Sequence, residues 1–88
     1  MKVSRKVKIK NALGLHVRPA TIIVKMLQGS KCSVHFTHKK EMINAKSIMS
    51  ILMLAAAKNS VIAIDTEGED AEAVMVALVD AFEQSFGE

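Results

Sequence analysis

The spacing of apolar residues changes repeatedly along this chain, and that change limits the folds available to it. In residues 3–9, Val3, Arg5, Val7 and Ile9 alternate with Ser4, Lys6 and Lys8, and a similar alternation runs through residues 31–38. A period of two is typical of a strand with one buried face. Elsewhere the apolar residues recur every three or four positions, which is typical of an amphipathic helix. The chain is therefore expected to combine a sheet with helices.

These patterns predict four strands and three helices. In chain order they are a strand in 3–9, a helix beginning near Pro19 and stopping at Gly29, strands in 31–38 and 42–45, a short helix in 46–58, a strand in 61–66 and a helix in 70–86. Residues 38–41 and Asn59 are expected to form turns. The order β-α-β-β-α-β-α predicts an α/β fold of the α+β kind, an open-faced sandwich with helices on one face of the sheet. The last helix is expected to bury a stripe of Ala71, Val74, Leu78 and Phe82.

Length and composition exclude several classes of protein. A chain of 88 residues has room for one core, so residues 1–88 are expected to form a single domain. No apolar run reaches the roughly 18 residues of a membrane span, and the N-terminus lacks the apolar region of a signal peptide. The lone Cys32 excludes an internal disulfide, and a buried structural role is expected for it. We therefore expect a cytoplasmic protein without membrane insertion.

The uneven charge leaves two classes of partner open. Residues 1–10 contain five lysines or arginines and no acid, within a net charge of +3. Such a basic end could meet nucleic acid or an acidic protein. The chain has no Trp or Tyr and only three Phe, so it offers few platforms on which bases could stack. This argues against nucleic acid as the partner.

A histidine and an arginine lie at the expected start of the first helix, in the stretch GLHVRPA at 14–20. The first turn of a helix has N–H groups without intrahelical partners, and its dipole favours anions. Arg18 adds a permanent cation, and both neighbours are expected to keep the His16 imidazole neutral near pH 7. A neutral imidazole is a nucleophile, so the site can accept a phosphoryl group and hand it on. No base for hydrolysis is evident, which favours a carrier over an enzyme; the alternative is that His16 is only a cap or turn residue.

GLHVRPA at 14–20, together with NAKSIMSIL at 44–52, resembles the HPr family, the histidine-containing phosphocarriers of the bacterial phosphoenolpyruvate:sugar phosphotransferase system. The resemblance extends over essentially the whole chain. It implies a four-stranded antiparallel sheet covered on one face by three helices. It also implies that enzyme I phosphorylates Nδ1 of His16, that Arg18 assists, and that the group passes to a sugar-specific enzyme IIA. A carrier of this kind needs no cofactor, turns over only with its partner enzymes, and is expected to be a monomer.

The second helix carries two further expectations. Ser47 precedes it and is expected to be its N-cap. The resemblance implies that an HPr kinase/phosphorylase modifies the matching serine in some family members, which would place negative charge on a surface meant for an acidic partner. The helix also has too many apolar residues for one buried face. The resemblance implies a docking surface beside His16 that includes Val17, Lys25, Ile48, Met49 and Leu52.

Other features leave the function less constrained. His35 and His38 are three apart in a strand, so they should point to opposite faces, and no metal site is predicted. Val17, Ser50 and Ala55 depart from the residues usual in the family, which leaves the choice of partners open. One alternative is a regulatory homologue acting through Ser47 or in a nitrogen-type phosphorelay. A more distant alternative is a small basic domain that binds nucleic acid.

Overall fold

The strands and helices occur in the predicted order. The computed structural model describes residues 1–88. It contains β1 (Lys2–Lys8), α1 (Val17–Leu27), β2 (Ser33–His38), β3 (Glu41–Asn44), α2 (Ile48–Met53), β4 (Val61–Glu67) and α3 (Ala71–Glu83), followed by a 3-10 turn at Ser85–Gly87. None of the helices combines the length and apolar character that crossing a membrane requires.

The four strands form one antiparallel sheet in the order β1-β4-β2-β3. The register places the apolar residues of neighbouring strands side by side, for example Val7 opposite Ile62, and Phe36 opposite both Ile64 and Ile43. Val7, Ile62, Phe36 and Ile64 belong to one core of 20 buried residues, to which all three helices contribute, and the half-buried Ile43 packs against it. The alternate positions of β1 are exposed lysines and Ser4. The predicted open-faced sandwich is therefore confirmed.

The helix ends differ from the predicted ones because tertiary packing overrides local propensity. The first helix begins at Val17, two residues before Pro19. The second ends at Met53, well short of residue 58, and Ala55 beyond it has a left-handed φ of 49°. In the last helix, Ala71, Leu78 and Phe82 are buried as predicted. Val74 is only half-buried and packs against the core, and Met75 is buried instead.

The third helix stops at Glu83, three residues earlier than predicted. Ser85 and Phe86 have left-handed φ values of 51° and 52°, which no continuing α-helix can accommodate. The turn directs the Phe86 ring into the core, edge-on to Phe82 with ring centroids 4.9 Å apart. Burial of an aromatic ring thus favours the turn over another helical turn.

A carboxylate ties the start of α3 to the start of β2. The two oxygens of Asp70 accept hydrogen bonds from the backbone N–H groups of Lys31 and Cys32, each at 2.8 Å. The bond from the Lys31 N–H is the main cause that lowers the pKa of Asp70, because it stabilises the ionised carboxylate. Burial raises the pKa of the Cys32 thiol, and the Asp70 carboxylate raises it further. Cys32 is therefore a buried, unreactive thiol, as predicted.

Asp70→Asn is expected to lower the melting temperature at neutral pH. The melting temperature of this variant is also expected to fall less than that of the native chain as the pH is lowered. Since the pKa of Asp70 is lowered by folding, the carboxylate stabilises the native state above its unfolded pKa of about 4 and loses that effect as the pH falls below it. The measurement is thermal unfolding from pH 7 to pH 3. Glu69→Gln is the matched control, because Glu69 makes only a surface ion pair with Lys31 at 3.8 Å. Equal acid slopes for Asp70→Asn and the native chain would contradict the prediction.

Candidate functional site

The loop between β1 and α1 rests on the segment that follows α2. The Leu15 N–H donates to the carbonyl oxygen of Ala56 at 3.0 Å, and the Gly14 N–H donates to that of Asn11 at 3.0 Å. Gly14 has a left-handed φ of 67°. A Cβ at this position would collide with the Ala56 carbonyl oxygen and lie 2.9 Å from Cα of Ala57. Glycine is required here, and the close contact it permits fixes where the first helix begins.

His16 is the N-cap of α1, with extended backbone angles of φ −80° and ψ −172°. Its side chain makes no capping hydrogen bond and is 30% exposed. The backbone N–H groups of Val17 and Arg18 have no hydrogen-bond partner, and Pro19 has no N–H. The ring therefore lies at a helix N-terminus whose first amides remain available to an anion. The Arg18 side chain beside it is exposed and makes no ion pair.

Glu88 lies against the His16 ring, a contact that no pattern in the sequence predicts. Its carboxylate oxygens are 2.9 and 3.1 Å from Nε2 of His16. The Asn11 amide donates to the same carboxylate at 2.5 Å and to the Ser85 carbonyl oxygen at 2.8 Å. The hydrogen bond from Asn11 is the main cause that lowers the pKa of Glu88, and the bond from His16 and the charge of Arg18 act in the same direction. The carboxylate is thus held ionised beside the imidazole.

A shallow cavity of about 300 Å³ opens beside this contact. Lys10, Asn11, Leu13, His16 and Glu88 are among the residues that line it. Asn11 is buried, and its Oδ1 has no hydrogen-bond partner. The cavity gives a reacting group access to the ring from outside the core.

The docking residues expected from the resemblance differ in their accessibility. Val17 and Met49 are 60% and 68% exposed. Lys25 is also exposed, whereas Ile48 and Leu52 are half-buried and pack against the core. The structure adds two exposed apolar residues: Leu13, which lines the cavity beside His16, and Met53 at the end of α2. The periodic patterns of helices and strands could not have identified Leu13, because it lies in a loop.

Ser47 is the N-cap of α2, as predicted. Its hydroxyl oxygen accepts a hydrogen bond from the Ser50 N–H at 3.2 Å. The side chain is half-buried, at the end of the short helix that carries the exposed Met49 and Met53. A group added to this hydroxyl would lie at the N-terminus of α2, two residues before the exposed Met49.

The other two histidines lie outside the site, in β2. The strand register places His35 opposite Asp65 and Asn44, on the open face of the sheet. His38, three positions later, belongs to the other face of β2 and lies beside the turn to β3. No three His, Cys, Asp or Glu side chains are grouped so that they could hold a metal ion. Of the three histidines, only His16 combines an accessible ring with unpaired helix amides.

An accessible imidazole at a helix N-terminus with free amides, on an open-faced sandwich, is the arrangement expected of a small phosphoryl-carrier protein. The profile of the family described as "PTS HPr component phosphorylation site" matches residues 3–84. The phosphocarrier protein HPr of Chlamydia pneumoniae is 48% identical over 80 residues, which cover 91% of this chain and 74% of that protein. The HPr of Neisseria meningitidis is 38% identical over 98% of this chain and 97% of its own. The chain belongs to the HPr family of the phosphotransferase system.

Solved structures agree with this assignment. The crystal structure of HPr-C-His from Thermoanaerobacter tengcongensis superimposes with a TM-score of 0.93 and 36% identity, covering 98% of this chain and 97% of that chain. The HPr of Bacillus anthracis gives a TM-score of 0.87 at 34% identity, covering 92% of this chain and 96% of that chain. The four-stranded antiparallel sheet and the order of strands and helices are therefore those of the family. The family is one of phosphocarriers and not of catalytic enzymes.

Proposed function

We propose that the chain cycles between His16 and phospho-His16, accepting the phosphoryl group from phospho-enzyme I and passing it to a sugar-specific enzyme IIA. One observation carries this proposal: the His16 ring is accessible at the N-terminus of α1, where the amides of Val17 and Arg18 are unpaired. Transfer of a phosphoryl group depends on positioning and on stabilisation of charge, and this site supplies both. The protein is proposed to turn over only with its partner enzymes and to need no cofactor.

The nucleophilic atom is Nδ1. Nε2 of His16 faces the carboxylate of Glu88, which can only accept hydrogen bonds when ionised. Nε2 therefore carries the ring proton, and the lone pair lies on Nδ1, which makes no hydrogen bond. The transferred group would then be held by the two free amides and by the charge of Arg18.

The partners are proposed to dock on the apolar surface of α1 and α2. Val17 and Met49 are exposed, and Ile48 and Leu52 are half-buried against the core. The exposed Lys25 is proposed as a charge at the rim of this surface. Flexible methionine side chains suit a surface that meets more than one protein. The protein is proposed to act in the cytoplasm as a monomer.

Incubation with phosphoenolpyruvate and purified enzyme I tests the proposal. The expected product is a phosphorylated chain whose phosphate is labile in acid and stable in base. Adding purified enzyme IIA should then remove the label. A chain that stays unlabelled, or whose label survives acid, would contradict the proposal. Binding of nucleic acid that weakens steeply with salt and survives His16→Ala would support the distant alternative instead.

Regulation through Ser47 is also proposed, since this hydroxyl lies at the N-terminus of the helix that carries three of the proposed docking residues. Ser47→Asp keeps an acceptor for the Ser50 N–H and adds one negative charge. It is expected to weaken binding to enzyme I at least about tenfold, because like charges across an interface repel. Kinetics of phosphorylation at varied enzyme I concentration measure this.

The matched control for that experiment is Asn44→Asp. It adds the same charge on the open face of the sheet and keeps the acceptor for the Lys46 N–H. It is expected to behave as the native chain does. Equal effects of the two substitutions would rule out a local role for Ser47.

A further inference from the structure

The first strand is an open edge of the sheet. β1 pairs only with β4, since the strand order is β1-β4-β2-β3. The Gly68 N–H donates to the Met1 carbonyl oxygen, and the Ile9 N–H donates to that of Ser60, each at 2.9 Å. In an antiparallel pair, alternate residues bond to the same neighbour, so the odd-numbered residues of this strand bond to β4. The backbone groups of the even-numbered residues face outward: Lys2, Ser4, Lys6 and Lys8.

A side chain covers part of this edge. Nη1 of Arg5 donates to the Ser4 carbonyl oxygen at 2.8 Å, so one outward acceptor is protected in the free protein. Unprotected edge strands pair with other chains unselectively, and charged side chains limit such pairing. The guanidinium has donors and no acceptor, so it cannot cover the outward N–H groups in the same way. The edge is therefore guarded, but its N–H groups can still donate to an added strand.

A groove of about 370 Å³ lies between β1 and α3. Val76 of α3 lines it and is 64% exposed. Its other apolar lining residues are Val3, Met75 and Val79, and three acids of α3 border it: Glu72, Asp80 and Glu83. No residue of this groove lines the cavity beside His16. On this side, the residues of an added strand would meet apolar side chains and carboxylates, which favours apolar residues and disfavours acidic ones.

The other face of β1 is basic. Its lysines are exposed on the open face of the sheet, and residues 1–10 contain no acid. The strand already paired with β1 shows which side chains suit this face. β4 places Glu67 opposite Lys2 and Asp65 opposite Ser4, whose hydroxyl donates to that carboxylate. Opposite charges at facing positions of neighbouring strands stabilise a sheet. A strand on the outer side of β1 is therefore also expected to carry acids on this face.

We propose that the outer edge of β1, together with the groove beside α3, binds an extended segment of a partner protein in which acidic residues alternate with apolar ones. The segment adds to β1 as a further antiparallel strand, with its acids beside the lysines and its apolar residues in the groove. A second copy of this chain fits poorly, because two paired β1 strands would place lysines against lysines. Phosphoryl transfer at His16 is not involved, so this interaction is independent of the proposed function.

The test uses the full chain labelled with ¹⁵N and a capped seven-residue peptide that alternates glutamate with valine, with glutamate at both ends. The peptide is expected to shift the amide signals of β1 and α3 in a saturable way. With peptide in excess, hydrogen exchange of the outward Lys6 N–H is expected to slow at least about fivefold, while that of the inward Val7 N–H stays unchanged. No saturable shift in β1 up to about 1 mM peptide would overturn the proposal.

Methylated peptides separate strand addition from attraction between charges alone. In antiparallel addition the glutamates face the outward residues of β1, so their N–H groups donate to this strand and the valine N–H groups point away. Methylation of the two central glutamate amides is expected to weaken binding at least about tenfold, whereas methylation of two valine amides is expected to change it less than about twofold. Both peptides carry the same charge. Equal binding by the two would overturn the proposal.

Val76→Asp tests the groove. It places a charge among apolar side chains and is expected to weaken binding of the unmodified peptide at least about tenfold. Val76 is exposed, so the fold is expected to persist. Ala77→Asp is the matched control, because Ala77 is the next residue of α3, is also exposed and lies outside the groove. If the two variants bind the peptide equally, the groove does not hold the segment and the proposal fails.

Two further measurements test the other possible occupants. Sedimentation of the chain alone is expected to show a monomer, and a dimer that the peptide fails to dissociate would assign the edge to a second copy. A ten-nucleotide thymidine strand is expected to leave the β1 amide signals in place. Shifts matching those caused by the peptide would assign the edge to nucleic acid. Either of these contrary results would overturn the proposal.

Discussion

His16→Ala is expected to abolish phosphorylation by phospho-enzyme I, with labelling from radioactive phosphoenolpyruvate reduced at least about a thousandfold. The substitution removes the nucleophile and leaves no nearby group that could replace it. The free amides of Val17 and Arg18 and the charge of Arg18 would remain, but these stabilise a phosphoryl group without bonding to it. Labelling of the purified variant, resolved on a gel, measures the effect.

Two controls test whether the loss of labelling belongs to the His16 ring itself. The double variant His35→Ala/His38→Ala keeps only His16 and is expected to be labelled as the native chain is, since both other rings lie in β2 away from the site. Thermal unfolding of His16→Ala is expected to resemble that of the native chain, because the side chain makes no capping bond and its hydrogen bond to Glu88 is solvent-exposed. A folded His16→Ala that still accepts label would show that the phosphoryl group goes elsewhere.

The sheet and the position of His16 could be predicted because both depend on local features of the sequence. Strands that bury one face require alternation, and the turns and helix starts nearest the site follow from Gly14, Ser47 and Asn59. Asn59 adopts the left-handed φ of 75° that its side chain tolerates. Ser47 caps α2 because its hydroxyl can reach an amide three residues along. Each of these depends on residues only a few positions apart.

The contact between Glu88 and His16 could not be predicted in this way. The apolar spacing of 70–86 favours a continuous helix, which would carry Glu88 away from the site. The turn forms instead because Phe86 finds a place in the core beside Phe82, and that place exists only once the sheet and α3 have packed. Nor does the sequence indicate that Asn11 is buried, since an asparagine beside a turn is ordinarily exposed. The positions of Glu88 and Asn11 at the candidate site therefore depend on long-range packing.

Gly14→Ala adds one methyl group to the loop before α1. Among substitutions of that kind in this loop, it is expected to lower the stability of the protein most. It should lower the free energy of unfolding by about 3 kcal/mol or more, which corresponds to a fall in melting temperature of more than about 10 °C. Two costs combine. The left-handed φ of 67° strains any residue with a Cβ, and the new methyl group would collide with the backbone of Ala56 and Ala57. Denaturant unfolding followed by circular dichroism measures the loss.

Gly29→Ala separates the two costs. Gly29 also has a left-handed φ, of 80°, but a Cβ there would meet nothing within 4 Å. It is expected to cost only about 1 kcal/mol, the strain alone. The difference between the variants is then the cost of forcing the loop off the Ala56 carbonyl, which would also break the hydrogen bond from Leu15 and displace His16. Gly14→Ala should therefore be phosphorylated more slowly even under conditions where it is folded, whereas Gly29→Ala should not. Equal stability losses in the two variants, with native phosphorylation rates in both, would mean that contact with the 56–57 segment does not hold the histidine in place.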